Sequence, residues 1–356
     1  MNTLTKARFG MCALVLAAVP LWALGQEAAA ARQPIYSLTD LGGFDAAGEN
    51  YTRVGGINNA GAITGQVLVY TEFNTFERDA FIYRRGTMYD IGELPQLEFA
   101  EGYSINSRGQ VAGAGWGGPC SRAFLYADGA MLDLGTLGGD CALASGINAR
   151  GAVTGWSSTP TSLEHAFLDQ NGVMQDLDSE NGGESVGNAI NDAGDVTGWS
   201  SYQYSNGSTE HAFLYRHGVM NDLGTLGGGF SEGLAINSAG QITGDSETSS
   251  GDGPHAFLYS KGVMQDLGPG YGLGINNSGQ VVGTTDYAPG SAFLYSNGVR
   301  TPLAALISPS DPLAPYVQLF EAAGINDRGL IVANGYDSRR PAYEVHAYLL
   351  TPIASH

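Results

Sequence analysis

The sequence predicts an all-β fold, a seven-bladed β-propeller of four-stranded antiparallel blades whose N-terminal strand closes the last blade. Three observations predict it. A unit of four short strand-like runs recurs along nearly the whole chain. Its period is that of a propeller blade, roughly 40–45 residues, where β-helix coils are much shorter. One copy of the fourth run stands ahead of the first unit instead of behind the last.

The stretch Gly233–Gly268 shows the unit in its clearest form. The first run ends in Ala235-Ile236, and Asn237-Ser238-Ala239-Gly240 follows. Asn at the first and Gly at the fourth position suit a type I turn, because the Asn side chain bonds forward along the backbone and Gly accepts a positive φ. The second run, Gln241-Ile242-Thr243, is β-branched, and a polar loop leads to the third, His255–Tyr259. Lys261-Gly262 is an X-Gly pair of the kind that closes tight hairpins. Val263–Leu267 is the fourth run.

The Ile-Asn-x-x-Gly turn recurs seven times, at Asn58, Asn106, Asn148, Asn191, Asn237, Asn276 and Asn326. An aromatic third run follows each, from Ala80-Phe81 to Ala347-Tyr348. The fourth run carries Asp90, Asp133, Asp176, Asp222 and Asp266, decays at Thr301-Pro302-Leu303, and is missing after the seventh unit. The orphan copy is Ile35–Gly43 (IYSLTDLGG). A linear solenoid has no use for a strand at the wrong end, whereas a ring uses it to close the last blade and remove exposed edges. The residue before each repeated Ile is Gly, Ser or Ala, as expected where innermost strands converge on an axis.

Taken in order, residues 1–25 read as a secretory signal: Lys6 and Arg8, an apolar run from Met11 to Leu24, and Ala23-Leu24-Gly25 as cleavage site. The apolar run is too short for a comfortable membrane span. The expectation is a mature domain over 33–353 with no membrane span, secreted to the outside or to a periplasm. Loss of Lys6 and Arg8 with the leader takes the net charge from −19 to −21. So acidic a chain is repelled by nucleic acid and by anionic membranes. Cys120 and Cys141 remain, in loops that leave the same face, and are expected to pair in an oxidising compartment. The longest departure from the repeat is a proline-rich insert over 303–322, expected as a cap over one face or as surface decoration.

No catalytic motif is present: no Gly-x-Ser-x-Gly, His-Glu-x-x-His, P-loop or EF-hand spacing. His165, His211, His255 and His346 recur two residues before the repeated aromatic, which points to strand entry and away from metal binding. The repeated aspartates read as acceptors of backbone hydrogen bonds, and the asparagines as turn chemistry. Function is expected where the units differ, on the face bearing the crossover and second-to-third-strand loops. There GWGGPC, GWSSTPTS and GWSSYQYSNGS set Trp116, Trp156, Trp199, Tyr202 and Tyr204 near neighbouring loops. Trp156 and Trp199 are equivalent by repeat position, and Trp116 is shifted by two. Such side chains offer flat apolar faces with a polar edge, on which sugar rings stack, or they pack strand ends. Asp245, Glu247 and Asp252 make a carboxylate group on the same face, a weak candidate for calcium and for no other cofactor.

The units HAFLYRHGVMNDLGTLGGGFSEGLAINSAGQITG and HAFLYSKGVMQDLG, with crossovers at Gly135–Gly139 and Gly224–Gly228, resemble the bacterial HAF repeat. That family comprises probable extracellular repeat proteins named for their His-Ala-Phe core. The resemblance covers nearly the whole mature chain and blurs at Asp79-Ala80-Phe81 and His346-Ala347-Tyr348. It implies an exported bacterial protein and no defined activity or catalytic residues. The expected function is a non-catalytic exported propeller that binds a glycan or an extracellular protein on its loop face. The alternatives are a propeller glycan hydrolase or lyase using carboxylates around the central opening, and a structural surface or matrix protein.

Overall fold

In the computed structural model the described residues are 35–44, 51–70, 76–95, 97–178, 183–204, 207–285, 291–341 and 344–353. The leader expected over 1–25 lies outside them. Short strands rich in Val, Ile, Thr and aromatics build antiparallel meanders, as their β-branched pattern requires. Ala142–Ile147, Val153–Ser158, Glu164–Gln170 and Val173–Asp176 pair in that order, and Tyr271–Ile275 through Val299–Pro302 repeat the arrangement. Two eight-stranded sheets are each a pair of such meanders, joined by single parallel pairs, Arg78 with Phe99 and Glu210 with Phe230. The fifth sheet runs from Val317–Ile325 through Ile331–Asp337 and His346–Ile353 to Ile35–Asp40. There Ile35 lies opposite Ile353 and Asp40 opposite Tyr348. The orphan strand therefore sits in the fourth place of the last meander.

We number the units in chain order by their first strands: Tyr51–Ile57, Phe99–Ile105, Ala142–Ile147, Ser185–Ile190, Gly227–Ile236, Tyr271–Ile275 and Val317–Ile325. Each first turn is stitched by its asparagine. In unit four, Asn191 Oδ1 accepts from the N–H groups of Ala193 and Asp195, both at 3.0 Å, and Gly194 N–H closes the turn onto the Asn191 carbonyl. Gly194 has φ +92°, a value that only glycine adopts freely. At the hairpins both central residues have positive φ, as at Asn171 (58°) and Gly172 (78°), the type I′ geometry that X-Gly favours. The fourth-strand aspartates accept from the N–H two residues on: Gly92 to Asp90, Gly135 to Asp133, Gly224 to Asp222 and Gly268 to Asp266. Asp40 does the same for Gly42 in the orphan strand.

Histidines at the strand entries bind these aspartates: His165 to Asp176 at 2.9 Å, His211 to Asp222 at 3.0 Å and His255 to Asp266 at 2.9 Å. In unit seven the partner of His346 is Asp40, 3.4 Å away and contributed by the other end of the chain. The core lies between successive units. Phe81, Phe124, Phe167, Phe213, Phe257, Phe293 and Tyr348 are almost wholly buried there. One cluster joins Val54, Ile63 and Phe81 of unit one to Val332 and Ala347 of unit seven. A threonine on the second strand fills the space beside a small residue of the next unit. Thr154 Oγ1 would lie 2.4 Å from a Cβ added to Gly187, and it donates to the Phe167 carbonyl at 2.7 Å.

The proline-rich insert has a specific place. Leu303–Leu306 forms a 3-10 turn, and Leu303, Leu306 and Ile307 bury against Tyr36, Leu38 and Tyr348. Ser308 N–H donates to the Tyr36 carbonyl (2.8 Å), while Leu38 N–H donates to Asp311 Oδ2 (2.8 Å). The segment thus braces the free edge of the orphan strand, satisfying backbone groups that would otherwise offer a pairing edge. The sequence pointed to a cap or to decoration, and an edge brace was not foreseen.

Candidate functional site

All seven first strands line one opening. At its asparagine end, a cavity of about 270 Å³ is walled by the Ile-Asn pairs of every unit. Each asparagine there reaches beyond its own turn: Asn58 Nδ2 donates to the Asn106 carbonyl, and Asn106, Asn148, Asn191, Asn237 and Asn276 each donate to the next in line. Asn326 then donates to the Asn58 carbonyl at 2.9 Å, so the series returns to its start. A further 250 Å³ is lined by the residues one and two places before each Ile, and by the Ile itself.

Agreement ends at the small residue before each Ile: two places before it already stand Gly55, Tyr103, Ser145, Asn188, Leu234, Leu273 and Ala323. Four residues before each Ile stand Arg53, Glu101, Leu143, Val186, Glu232, Tyr271 and Glu321. Their cross-strand partners are Gln66, Ala114, Trp156, Trp199, Asp245, Thr284 and Asn334. Seven equivalent pairs at one register thus carry seven side-chain combinations. A bulge between Gly233 and Ala235, repeated in every unit, brings these particular residues opposite each other.

The rim divides into sectors. Around units seven and one, Arg53 Nη2 donates to Glu321 Oε2 at 2.7 Å, and Asn334 Nδ2 to Glu321 Oε1 at 2.7 Å. Asn334 Oδ1 in turn takes the Val54 N–H at 3.0 Å. In unit two, burial raises the Glu101 carboxyl above its ordinary range although Tyr103 donates to it at 3.2 Å. Gln66 of unit one is buried, and its Oε1 has no hydrogen-bond partner among the described residues. Units three and four contribute half-buried Trp156 and Trp199 at matching positions. Unit five contributes Glu232 opposite Asp245. Asp245 is 4% exposed, and burial, then Glu232, push its carboxyl up to about 7. Glu232 is raised as well, by burial and by Glu210, although Asn188 Nδ2 donates to its Oε1 at 2.7 Å.

The residues singled out in sequence are placed as follows. Trp156 and Trp199 are register equivalents, while Trp116 pairs with Phe99 two residues further on and meets Tyr103 edge-on, ring centroids 6.5 Å apart. Tyr202 lies against His211, centroids 5.8 Å apart, and the Tyr204 side chain lies outside the described residues. Asp245, Glu247 and Asp252 do not converge: Asp245 faces Glu232, Glu247 accepts the Gly229 N–H, and Asp252 accepts from Thr248 and Ser250. Among the described residues no group of three His, Cys, Asp or Glu side chains is placed to hold a metal ion. Cys120 and Cys141 form a disulfide across a separation of 21 residues, as expected, which points to an oxidising, non-cytoplasmic compartment. No helix of the described residues is long and apolar enough to cross a membrane. Glu232, Asn188, Glu101 and Arg53 were missed in sequence; the signal was divergence four places before the repeated Ile for Arg53, Glu101 and Glu232, and two places before it for Asn188.

Solved structures resemble this one. The β-propeller domain of the trilobed protease from Pyrococcus furiosus superposes with a TM-score of 0.56 at 8% identity, covering 86% of this chain and 98% of that one. YCF48 bound to D1 peptide gives a TM-score of 0.47 at 9% identity, with 91% and 97% covered. TolB from Acinetobacter baumannii gives 0.47 at 11% identity, with 66% of this chain and 61% of that chain covered, so the likeness spans about three fifths of TolB. The first of these likenesses shows the fold, a β-propeller. No family model matches the chain, and no curated protein matches it.

Proposed function

We propose that this chain is an exported, seven-bladed propeller of the HAF-repeat kind, with residues 33–353 as one domain after cleavage of a leader at 1–25. The orphan strand closes the ring. The asparagine returning from Asn326 to Asn58 supports the closure, as does the His346–Asp40 pair in the place of the within-unit His–Asp pairs. Its function is to bind a glycan or an extracellular protein, without catalysis, at the loop-side rim of the central opening. The observation that carries this reading is the register at which seven equivalent residue pairs all differ, four residues from the Ile-Asn pair on which all seven agree. Packing demands the same residue at equivalent places, and recognition is what divergence at one rim serves. Trp156 and Trp199 supply aromatic area, with Tyr202 and Tyr204 further along the strand that carries Trp199.

Arrays of glycans and of peptides from extracellular proteins test it. The protein is expected to bind one class, and Trp156→Ala or Trp199→Ala to weaken that binding at least tenfold, about 1.4 kcal/mol or more. Binding unaffected by both changes removes the rim from consideration. A second reading, a glycan hydrolase or lyase, draws on the Glu232–Asp245 pair, since a carboxyl titrating near 7 can serve as a general acid. Turnover of a polysaccharide that is abolished by Glu232→Gln would favour it over the binding module.

A further inference from the structure

The two carboxylates of unit five are the part of the rim whose chemistry is incomplete. Arg53, Glu321 and Asn334 satisfy one another on the far side of the opening. Glu232 and Asp245 have no such arrangement. Neither takes part in an ion pair among the described residues, and Glu232 also feels another acid, Glu210. Asn188 occupies Glu232 Oε1. Glu232 Oε2 and both oxygens of Asp245 accept no hydrogen bond from any described residue, although Asp245 is 4% exposed. Asp245, buried without a donor or counter-charge, is costly to ionise, and burial together with Glu232 pushes its carboxyl up to about 7 for that reason. Cations are scarce in the chain as a whole, which holds 35 acidic against 16 basic residues.

We infer that Glu232, Asp245 and Asn188 form a subsite for the protonated amine of a lysine side chain presented by a partner protein. This rests on the rim being the binding site. The acceptor count favours an ammonium: three open oxygens face a group with three donors and no acceptor. A divalent metal is disfavoured because no third ligating side chain joins the pair. The depth of Asp245 favours a lysine over an amino sugar. Four methylenes let an ammonium reach a recessed carboxylate while the partner's backbone stays on the rim, whereas the amine of a glucosamine unit sits one bond from its ring.

The test titrates the purified protein at pH 8, where Asp245 is ionised, with the blocked pentapeptide acetyl-Gly-Gly-Lys-Gly-Gly-amide, followed by NMR. Control peptides carry norleucine or N-acetyl-lysine in the lysine place, and a glucosamine tetramer forms a separate arm. The lysine peptide is expected to bind at least tenfold more tightly than either control, and Asp245→Asn or Glu232→Gln is expected to remove that preference. Thermal melts confirm that both near-isosteric variants stay folded. Equal binding of lysine and norleucine peptides, no binding of the lysine peptide, or a preference that survives both variants overturns the inference. Binding of the glucosamine tetramer alone also overturns it. In each of these cases, array binding that is still lost in Trp199→Ala leaves the rim reading standing, so the two failures are distinguishable.

Discussion

The two ends of the central opening are built from the same seven strands and could hardly differ more. At one end every unit presents Ile-Asn, and the asparagine amides pass from unit to unit until Asn326 returns to Asn58. At the other, four residues earlier on each strand, Arg53, Glu101, Leu143, Val186, Glu232, Tyr271 and Glu321 share a register and little else. Repetition therefore marks the end that holds the molecule together. Variation marks the end where the proposed binding would read a partner.

The comparison can be broken at the join. Removing residues 35–40 takes away the fourth strand of unit seven, the Asp40 partner of His346, and the surface on which Leu303 and Ile307 pack. Burial of Tyr36 and Leu38 alone makes this at least about 4 kcal/mol. A urea melt should show a broadened or lost transition, and an unchanged melt would show that the strand is not integral to the last meander.

The acidic rim sharpens the comparison through pH. Asp245 is raised in the folded state, so between about 4 and about 7 the native protein holds a proton that the unfolded chain has released. Stability should then fall as pH rises across that window and level off above it. The fall is on the order of 4 kcal/mol at most, with Glu232 and Glu101 shifted in the same direction. Urea melts at pH 4.5 and 8 should differ in this sense, and Asp245→Asn should flatten the difference.

At the asparagine end, Asn191→Ala strands the N–H groups of Ala193 and Asp195 and the carbonyl of Asn237. About 3 kcal/mol of stability should go with them, while ligand binding at the rim stays unchanged. Smaller again, and confined to the crossover side, Cys120→Ser with Cys141→Ser should cost on the order of 2–3 kcal/mol in thermal melts.

Much of the fold is legible in the chain because turn chemistry is local. Asn and Gly set the first turn, X-Gly the hairpin, and a misplaced Ile35–Gly43 announces the strand that pairs with His346–Ile353. The candidate site is less legible, for two physical reasons. The bulge between Gly233 and Ala235 shifts the pairing by one, so simple alternation counted from Ile236 sets Glu232 opposite Ser246 and conceals its pairing with Asp245. An asparagine that serves its own turn also looks the same in sequence whether or not its amide reaches the next unit, so the circle from Asn58 to Asn326 has no signature of its own. The edge brace built by Asp311 and Ser308 is hidden likewise, since its partners are Leu38 and Tyr36 at the other end of the chain.

Backbone amide exchange, followed by mass spectrometry with and without saturating lysine pentapeptide, weighs the two ends of the opening against each other in one experiment. Slower exchange is expected in 184–188, 230–234 and 244–248, with 57–61, 147–151 and 236–241 unmoved. Protection centred on the asparagine turns, or spread evenly over both ends, would contradict the division between a uniform end that stabilises and a varied end that recognises.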